Sequence, residues 1–247
     1  MKPYRTAEVA AIMGVHPNTV RLYERLGLIP AAERKENGYR VFTGRHLAHF
    51  RLARLAFRVE VLQNGLRRQI VETVKTAAAG DYAGASALAR DYVLRVRRER
   101  AHGEEAAALA GQLLSGKPSR DTAPMRRKEV SSALSISMDT LRNWEMNGLL
   151  TVKRRENGYR VYTGEDVRRL KIIRALRCAN YSLEAILRLL RARSADPEAD
   201  VGAALNTPGA DDDIVSACDR LIISLDAAEQ NALAMLELLR DMQREFG

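Results

Sequence analysis

The chain has 247 residues, longer than most single domains, which favours two domains. Its 40 Lys and Arg exceed its 31 Asp and Glu to give a net charge of +9, so a polyanion is an expected partner. Cys178 and Cys218 lack the spacing of a zinc or redox motif, and no apolar run approaches the ~20 residues that cross a bilayer. We expect a cytoplasmic protein with no signal peptide, catalytic site, metal or cofactor; it is not expected to be an enzyme.

The N-terminal segment predicts two short helices. Thr6 can cap the first, which has Ile12 on its apolar face and Gly14 at its end. Pro17 suits the first turn of the second helix because its missing N–H is not needed there, and Gly27 ends that helix. Two short helices joined by a tight turn predict a helix-turn-helix.

A hairpin signal follows at Asn37-Gly38, which lies between short strand-like runs. Asn-Gly favours a two-residue hairpin turn because both central residues of that turn need positive φ. Thr43 then caps a further helix. The elements predict a helix-turn-helix with a hairpin wing.

The same arrangement occurs a second time. RKENGYRVFTG (34–44) returns as RRENGYRVYTG (154–164) with nine of eleven positions identical, and TVRLYERLGLI (19–29) matches TLRNWEMNGLL (140–150). Thr163 and Ser182 are the expected caps of two helices that follow. We call residues 4–76 repeat 1 and residues 125–194 repeat 2.

Each repeat is followed by a segment with helical spacing. Residues 212–246 place apolar or small residues at alternating intervals of four and three, the heptad seam of a coiled coil, and residues 82–114 show a weaker seam that Glu99 and Gly103 interrupt. Packing of these helices as an antiparallel pair within one chain, a pseudo-dimer, is favoured over a homodimer through 212–246.

The repeated segments quoted above resemble the MerR family of bacterial transcription regulators, over residues 4–76 and 125–194. The resemblance implies that the second helix enters the major groove of DNA and that the wing rests on the backbone. Matching positions and the neighbouring Thr, Asn, Lys and Arg side chains give these candidate DNA contacts: Asn18, Thr19, Arg21, Tyr23, Lys35, Tyr39, Arg40, Thr140, Arg142, Trp144, Arg155, Tyr159 and Arg160. The family usually has two aromatics in this helix, whereas Leu22-Tyr23 and Asn143-Trp144 supply one each, so unequal half-sites are expected.

Several residues also have a simpler, structural interpretation. Tyr39 and Tyr159 could anchor the wings as core residues, and Arg40 and Arg160 could be merely solvated. His46 and His49 are three residues apart on one helix but lack an evident third metal ligand, so we interpret them as surface or packing residues. Cys178 and Cys218 have apolar neighbours and are interpreted as small core residues.

The predicted fold is mainly α, with two winged helix-turn-helix domains, each bearing a β-hairpin wing and each followed by a long helix. The predicted segments are a first winged domain (1–80), a connecting helix (81–116), a linker (117–124), a second winged domain (125–194), an acidic linker (195–211) and a coiled-coil helix (212–247).

The predicted function is a transcription regulator on a bipartite double-stranded DNA site, located at the nucleoid, with RNA polymerase at the promoter as a candidate partner. The alternatives are an architectural or recombination accessory protein that bends DNA, and a small-molecule sensor with secondary DNA contact.

Overall fold

A computed structural model describes residues 3–59, 65–116, 123–154, 159–207 and 220–247, with the backbone alone at 153 and 154. The chain is mainly helical, with a few short strands. It forms two compact units, the first of Met1–Arg98 with Ser224–Gly247 and the second of Glu99–Ile223. In the described residues, no helix is both long enough and apolar enough to span a bilayer.

The described residues of repeat 1 form four helices and a hairpin, the last helix ending two residues beyond it. In chain order these are α1 (Thr6–Met13), α2 (Pro17–Arg25), β1 (Glu33–Arg34), β2 (Arg40–Val41), α3 (Gly44–Ala56) and α4 (Leu66–Ala78). Its core joins both short helices to the hairpin and α3, through the buried residues Val9, Ala10, Val20, Ile29, Phe42, Leu47 and Phe50.

The ends of α1 and α2 follow local chemistry. Gly14 ends α1 with a φ of 62°, and Pro17 occupies the first turn of α2, both as predicted. The cap of α1 was predicted one residue late: Arg5 is the N-cap, and its backbone N–H donates to Glu8 Oε2 over 2.6 Å. Ile12 is 48% exposed, so its place on the apolar face was also predicted wrongly.

The first hairpin forms at the predicted place with a different turn. Lys35 N donates to Tyr39 O (3.0 Å) and Gly38 N donates to Lys35 O (2.8 Å), which leaves a three-residue loop of 36–38. Only Gly38 has a positive φ, of 78°, so Asn37 does not take the conformation that a two-residue turn would require. Asn37 instead accepts a bond from Tyr39 N through its side chain. The second Asn157-Gly158 lies outside the described residues.

Repeat 2 repeats this order of elements. It contains β3 (Met125–Arg126), α6 (Arg127–Leu134), α7 (Met138–Met146), β4 (Lys153–Arg154), β5 (Arg160–Tyr162), α8 (Gly164–Cys178) and α9 (Leu183–Ala195). Thr163 and Ser182 cap α8 and α9, as predicted. The sequence did not predict β3, which pairs antiparallel with β5. Repeat 1 has a matching bridge, in which Tyr4 and Phe42 exchange backbone bonds of 2.8 and 2.9 Å.

Two long helices complete the units: α5 (Tyr82–Ser115) and, after the short α10 (Val201–Asn206), α11 (Leu221–Phe246). The seam predicted for α11 is buried throughout its described central part, at Leu221, Leu225, Ala228, Ala232, Met235, Leu239 and Met242. In the first unit, Arg97 Nε of α5 lies 2.7 Å from Glu229 Oε1 of α11.

Gly103, which interrupts the seam predicted for α5, has a packing role in the second unit. A Cβ added there would lie 2.9 Å from Ile222 Cδ1, so the glycine leaves space for that side chain. Gly103 O also accepts a bond from the Tyr181 hydroxyl (3.3 Å). The glycine is therefore a close-packing position of α5.

Candidate nucleic-acid interface

The outer face of α2 in repeat 1 carries exposed basic residues. Arg21 and Arg25 are exposed there, and they line one cleft with Arg34 and Arg40 of the hairpin. Arg21 Nη1 donates to Asn18 Oδ1 over 3.0 Å, which orients the guanidinium along the helix. Four guanidinium groups around one cleft make a surface that attracts phosphates.

The N-terminal turns of α2 and α7 each expose polar side chains. Asn18 is exposed and Thr19 is half-buried in repeat 1. In repeat 2, Ser137 caps α7 by accepting a bond from Thr140 N (3.0 Å), and Arg142 is exposed one turn further on. The predicted helix residues therefore lie on an accessible surface in each repeat, apart from the aromatic residues described below.

The hairpins present a tyrosine to solvent. Tyr39 is 71% exposed and Tyr159 is 73% exposed, so neither side chain is a core anchor. Lys35, at the start of the first turn, is also exposed. Arg155, its predicted counterpart in repeat 2, lies outside the described residues.

The hairpin arginines do more than contact solvent. Arg40 Nε lies 2.5 Å from Glu24 Oε2 of α2, and Arg160 Nε lies 2.6 Å from Glu145 Oε2 of α7. The arginine side chains are 27% and 29% exposed, and each glutamate is 12% exposed. The interpretation of Arg40 and Arg160 as merely solvated is therefore wrong.

Tyr23 of α2 and Trp144 of α7 are buried in their repeats to different degrees. Tyr23 stacks on Phe50 with ring centroids 4.6 Å apart and is half-buried. Trp144 is only 5% exposed. Its assignment as a DNA contact does not fit this position, because the ring packs into the core of repeat 2. The exposed neighbours Leu22 and Asn143 carry the difference between the two helices.

The two glutamates were not among the predicted site residues. Glu24 and Glu145 are identical in the aligned segments of the two repeats, which was the available signal. Glu145 Oε1 also accepts a bond from the Tyr162 hydroxyl over 2.7 Å. Burial, and then this bond to Glu145, raise the pKa of Tyr162 well above its ordinary value, so the hydroxyl stays protonated as a donor.

The two histidines and Cys178 differ in burial. His46 and His49 are buried packing residues of α3, and burial is the main cause that lowers the pKa of each ring. Cys178 is exposed, so its interpretation as a core residue is wrong, and Cys218 lies outside the described residues. Where the structure describes the chain, no three His, Cys, Asp or Glu residues form a group that could hold a metal.

Comparison with known families agrees with the two repeats. Residues 5–42 match the family described as MerR family regulatory protein, and residues 125–193 match the one described as MerR HTH family regulatory protein. No solved structure gives a significant match. Each repeat is thus similar to MerR-family regulatory proteins over the residues matched.

Curated relatives match parts of the chain. It is 52% identical over 40 residues to the mercuric resistance operon regulatory protein of Bacillus cereus, covering 16% of this chain and 30% of that protein. It is 39% identical over 71 residues to the HTH-type transcriptional regulator ZntR of Escherichia coli K12, covering 28% and 50%. It is 36% identical over 76 residues to nodulation protein NolA of Bradyrhizobium, covering 29% and 32%. The chain thus spans half or less of the length of these relatives.

Proposed function

We propose that this chain is a sequence-specific transcription regulator that binds double-stranded DNA through two MerR-like winged heads. The two heads, repeat 1 and repeat 2, occupy the halves of one bipartite promoter site and distort the DNA between them. The observation that carries the proposal is one surface built twice: an exposed arginine on the second helix, at Arg21 and Arg142, beside a hairpin with an exposed tyrosine.

The chemistry of this surface suits duplex DNA. An α-helix fits the major groove, where polar side chains of its first turns reach base edges. Arginines at the helix and hairpin neutralise phosphates, and each neutralised phosphate releases counterions. The regulators among the matched relatives give independent support, since the chain is similar to ZntR across 71 residues.

The proposal assigns both half-sites to a single chain. Within the first unit, the Arg97–Glu229 pair joins the last turns of the 82–98 segment of α5 to the first turns of the 224–246 part of α11. That contact, with the buried seam of α11, supports antiparallel packing inside one chain. We also propose RNA polymerase at the promoter as a partner and the nucleoid as the location, because both are expected of a transcription regulator.

Selection from a random duplex library, followed by footprinting, tests this function. We expect two protected half-sites of unequal sequence and a change of transcription from a promoter that carries them. Arg21→Ala should weaken protection of one half and Arg142→Ala of the other, while Arg90→Ala, an exposed arginine of α5, should leave both unchanged. Equal loss for all three variants, or no enriched sequence, would contradict the proposal.

A further inference from the structure

An ion pair joins the hairpin to the second helix in each repeat, Glu24–Arg40 in repeat 1 and Glu145–Arg160 in repeat 2. Both pairs use the same atoms, glutamate Oε2 and arginine Nε, at 2.5 and 2.6 Å. Acidic side chains on a surface that meets DNA would ordinarily repel phosphates. Their presence at the same position of both repeats therefore calls for a physical role.

The second oxygen of each carboxylate is also held. Glu24 Oε1 accepts a bond from the backbone N–H of Ala32 over 3.2 Å. Glu145 Oε1 accepts its bond from the Tyr162 hydroxyl, where repeat 1 has Phe42. Each glutamate thus connects the second helix to the segment leading into the wing or to the wing itself. A half-buried carboxylate held at both oxygens has a fixed direction.

The ion pair fixes the position of the arginine side chain. The pair occupies Nε, and Arg40 also lines the cleft that Arg21, Arg25 and Arg34 share. A guanidinium has five N–H donors in a planar fork, so pairing at Nε leaves the outer edge available to a second acceptor. Lysine cannot do this in the same way, because its ammonium is one point charge on a flexible stem.

We propose that Glu24 and Glu145 are positioning residues for DNA binding. Each holds its partner arginine, and with it the hairpin, at the spacing from the second helix at which helix and wing meet the duplex together. This inference rests on the proposed function. It assigns a favourable role in DNA binding to two carboxylates that simple electrostatics would count as unfavourable.

The sign of the effect of Glu24→Gln on DNA affinity is the test. Loss of a negative charge should tighten binding if the residue only repels phosphates, whereas loss of the positioning pair should weaken binding by about tenfold. Glu36→Gln is the matched control, because Glu36 is an exposed acid of the same hairpin. We expect Glu36→Gln to bind as tightly as the parent chain or more tightly. Glu145→Gln should repeat the loss at the other half-site.

Two arginine variants keep the test decisive if a glutamate variant fails to fold. Arg40→Lys retains the charge but cannot serve both acceptors, so we expect a loss similar to that of Glu24→Gln. Arg90→Lys, at an exposed arginine of α5, makes the same substitution away from the hairpin and should remain within about twofold of the parent affinity. All affinities are measured by fluorescence anisotropy on the selected duplex, with circular dichroism as the check on folding.

The outcomes separate the inference from the function on which it rests. A parent chain that does not bind duplex DNA overturns the proposed function. A parent chain that binds while Glu24→Gln matches or exceeds Glu36→Gln in affinity overturns the positioning role alone. Full affinity in Arg40→Lys does the same. A loss confined to Glu24→Gln, Glu145→Gln and Arg40→Lys supports the role.

Discussion

Acid should destabilise the first unit through His49. The side chain of this α3 residue is fully buried, and its Nε2 lies 3.2 Å from the hydroxyl of Tyr82, the first residue of α5. Within the described part of the chain its Nδ1 has no hydrogen-bond partner. Burial, followed by the nearby charges of Arg45 and His46, lowers the pKa of His49 from 6.5 to about 4.

The sign and size of the effect follow from that pKa. The folded pKa lies below the unfolded one, so as pH falls the unfolded chain binds the proton first. The contribution of His49 to the free energy of unfolding is complete above pH 6.5 and is lost between pH 6.5 and 4. A depression of about 2.5 pKa units corresponds to a loss on the order of 3 kcal/mol.

Urea unfolding from pH 7.5 to pH 4.5 measures this loss. His49→Gln keeps a polar group opposite Tyr82 and removes the titration, so its free energy of unfolding should fall much less across this range. His102→Gln, at an exposed histidine of α5, should keep the steep pH dependence of the parent chain. Equal pH dependence in the parent chain and His49→Gln would refute the argument.

Three further predictions follow. Arg40→Ala and Arg160→Ala should each weaken DNA binding and flatten the plot of log affinity against log salt by about 0.9 per lost phosphate contact; an unchanged slope in the double variant would contradict the wing assignment. Met235→Ala should lower the free energy of unfolding by about 2–5 kcal/mol, whereas Leu233→Ala, at a residue that is 37% exposed, should lower it far less. The unfolding midpoint should not depend on protein concentration; a midpoint that does would indicate assembly between chains. Trp144→Ala should cost about 3–5 kcal/mol of stability, and calorimetry showing an unchanged melting temperature would place the ring outside the core.

The sequence predicted the elements with strong local signals. The heptad spacing located the buried residues of α11 because every third or fourth position must avoid water. Gly14 and Pro17 located helix ends through their backbone preferences, and Ser182 did so through its side-chain cap; each of these effects acts within one turn. These signals need no knowledge of distant contacts.

Features that depend on distant partners were missed. The strand β3 and the Tyr4–Phe42 bridge form with residues some forty positions away, so a short apolar run could not identify them. The turn type at Asn37-Gly38 was wrong because the same two residues also suit a three-residue loop, in which only Gly38 needs positive φ.

The candidate site shows the same division. Arg21 and Tyr39 were predicted as candidates because they repeat at matching positions, and both are exposed. Trp144 was misassigned because an aromatic residue on an amphipathic helix suits a groove contact and a core equally. Glu24 and Glu145 were missed because their role depends on a hairpin residue about fifteen positions away.

The mass of the protein–DNA complex, measured by native mass spectrometry on the selected bipartite duplex, tests the central claim most directly. The account predicts one chain of 27.5 kDa on each duplex, with both half-sites required for full affinity. Two chains on each duplex, or one chain whose affinity is unchanged when either half-site is scrambled, would contradict it.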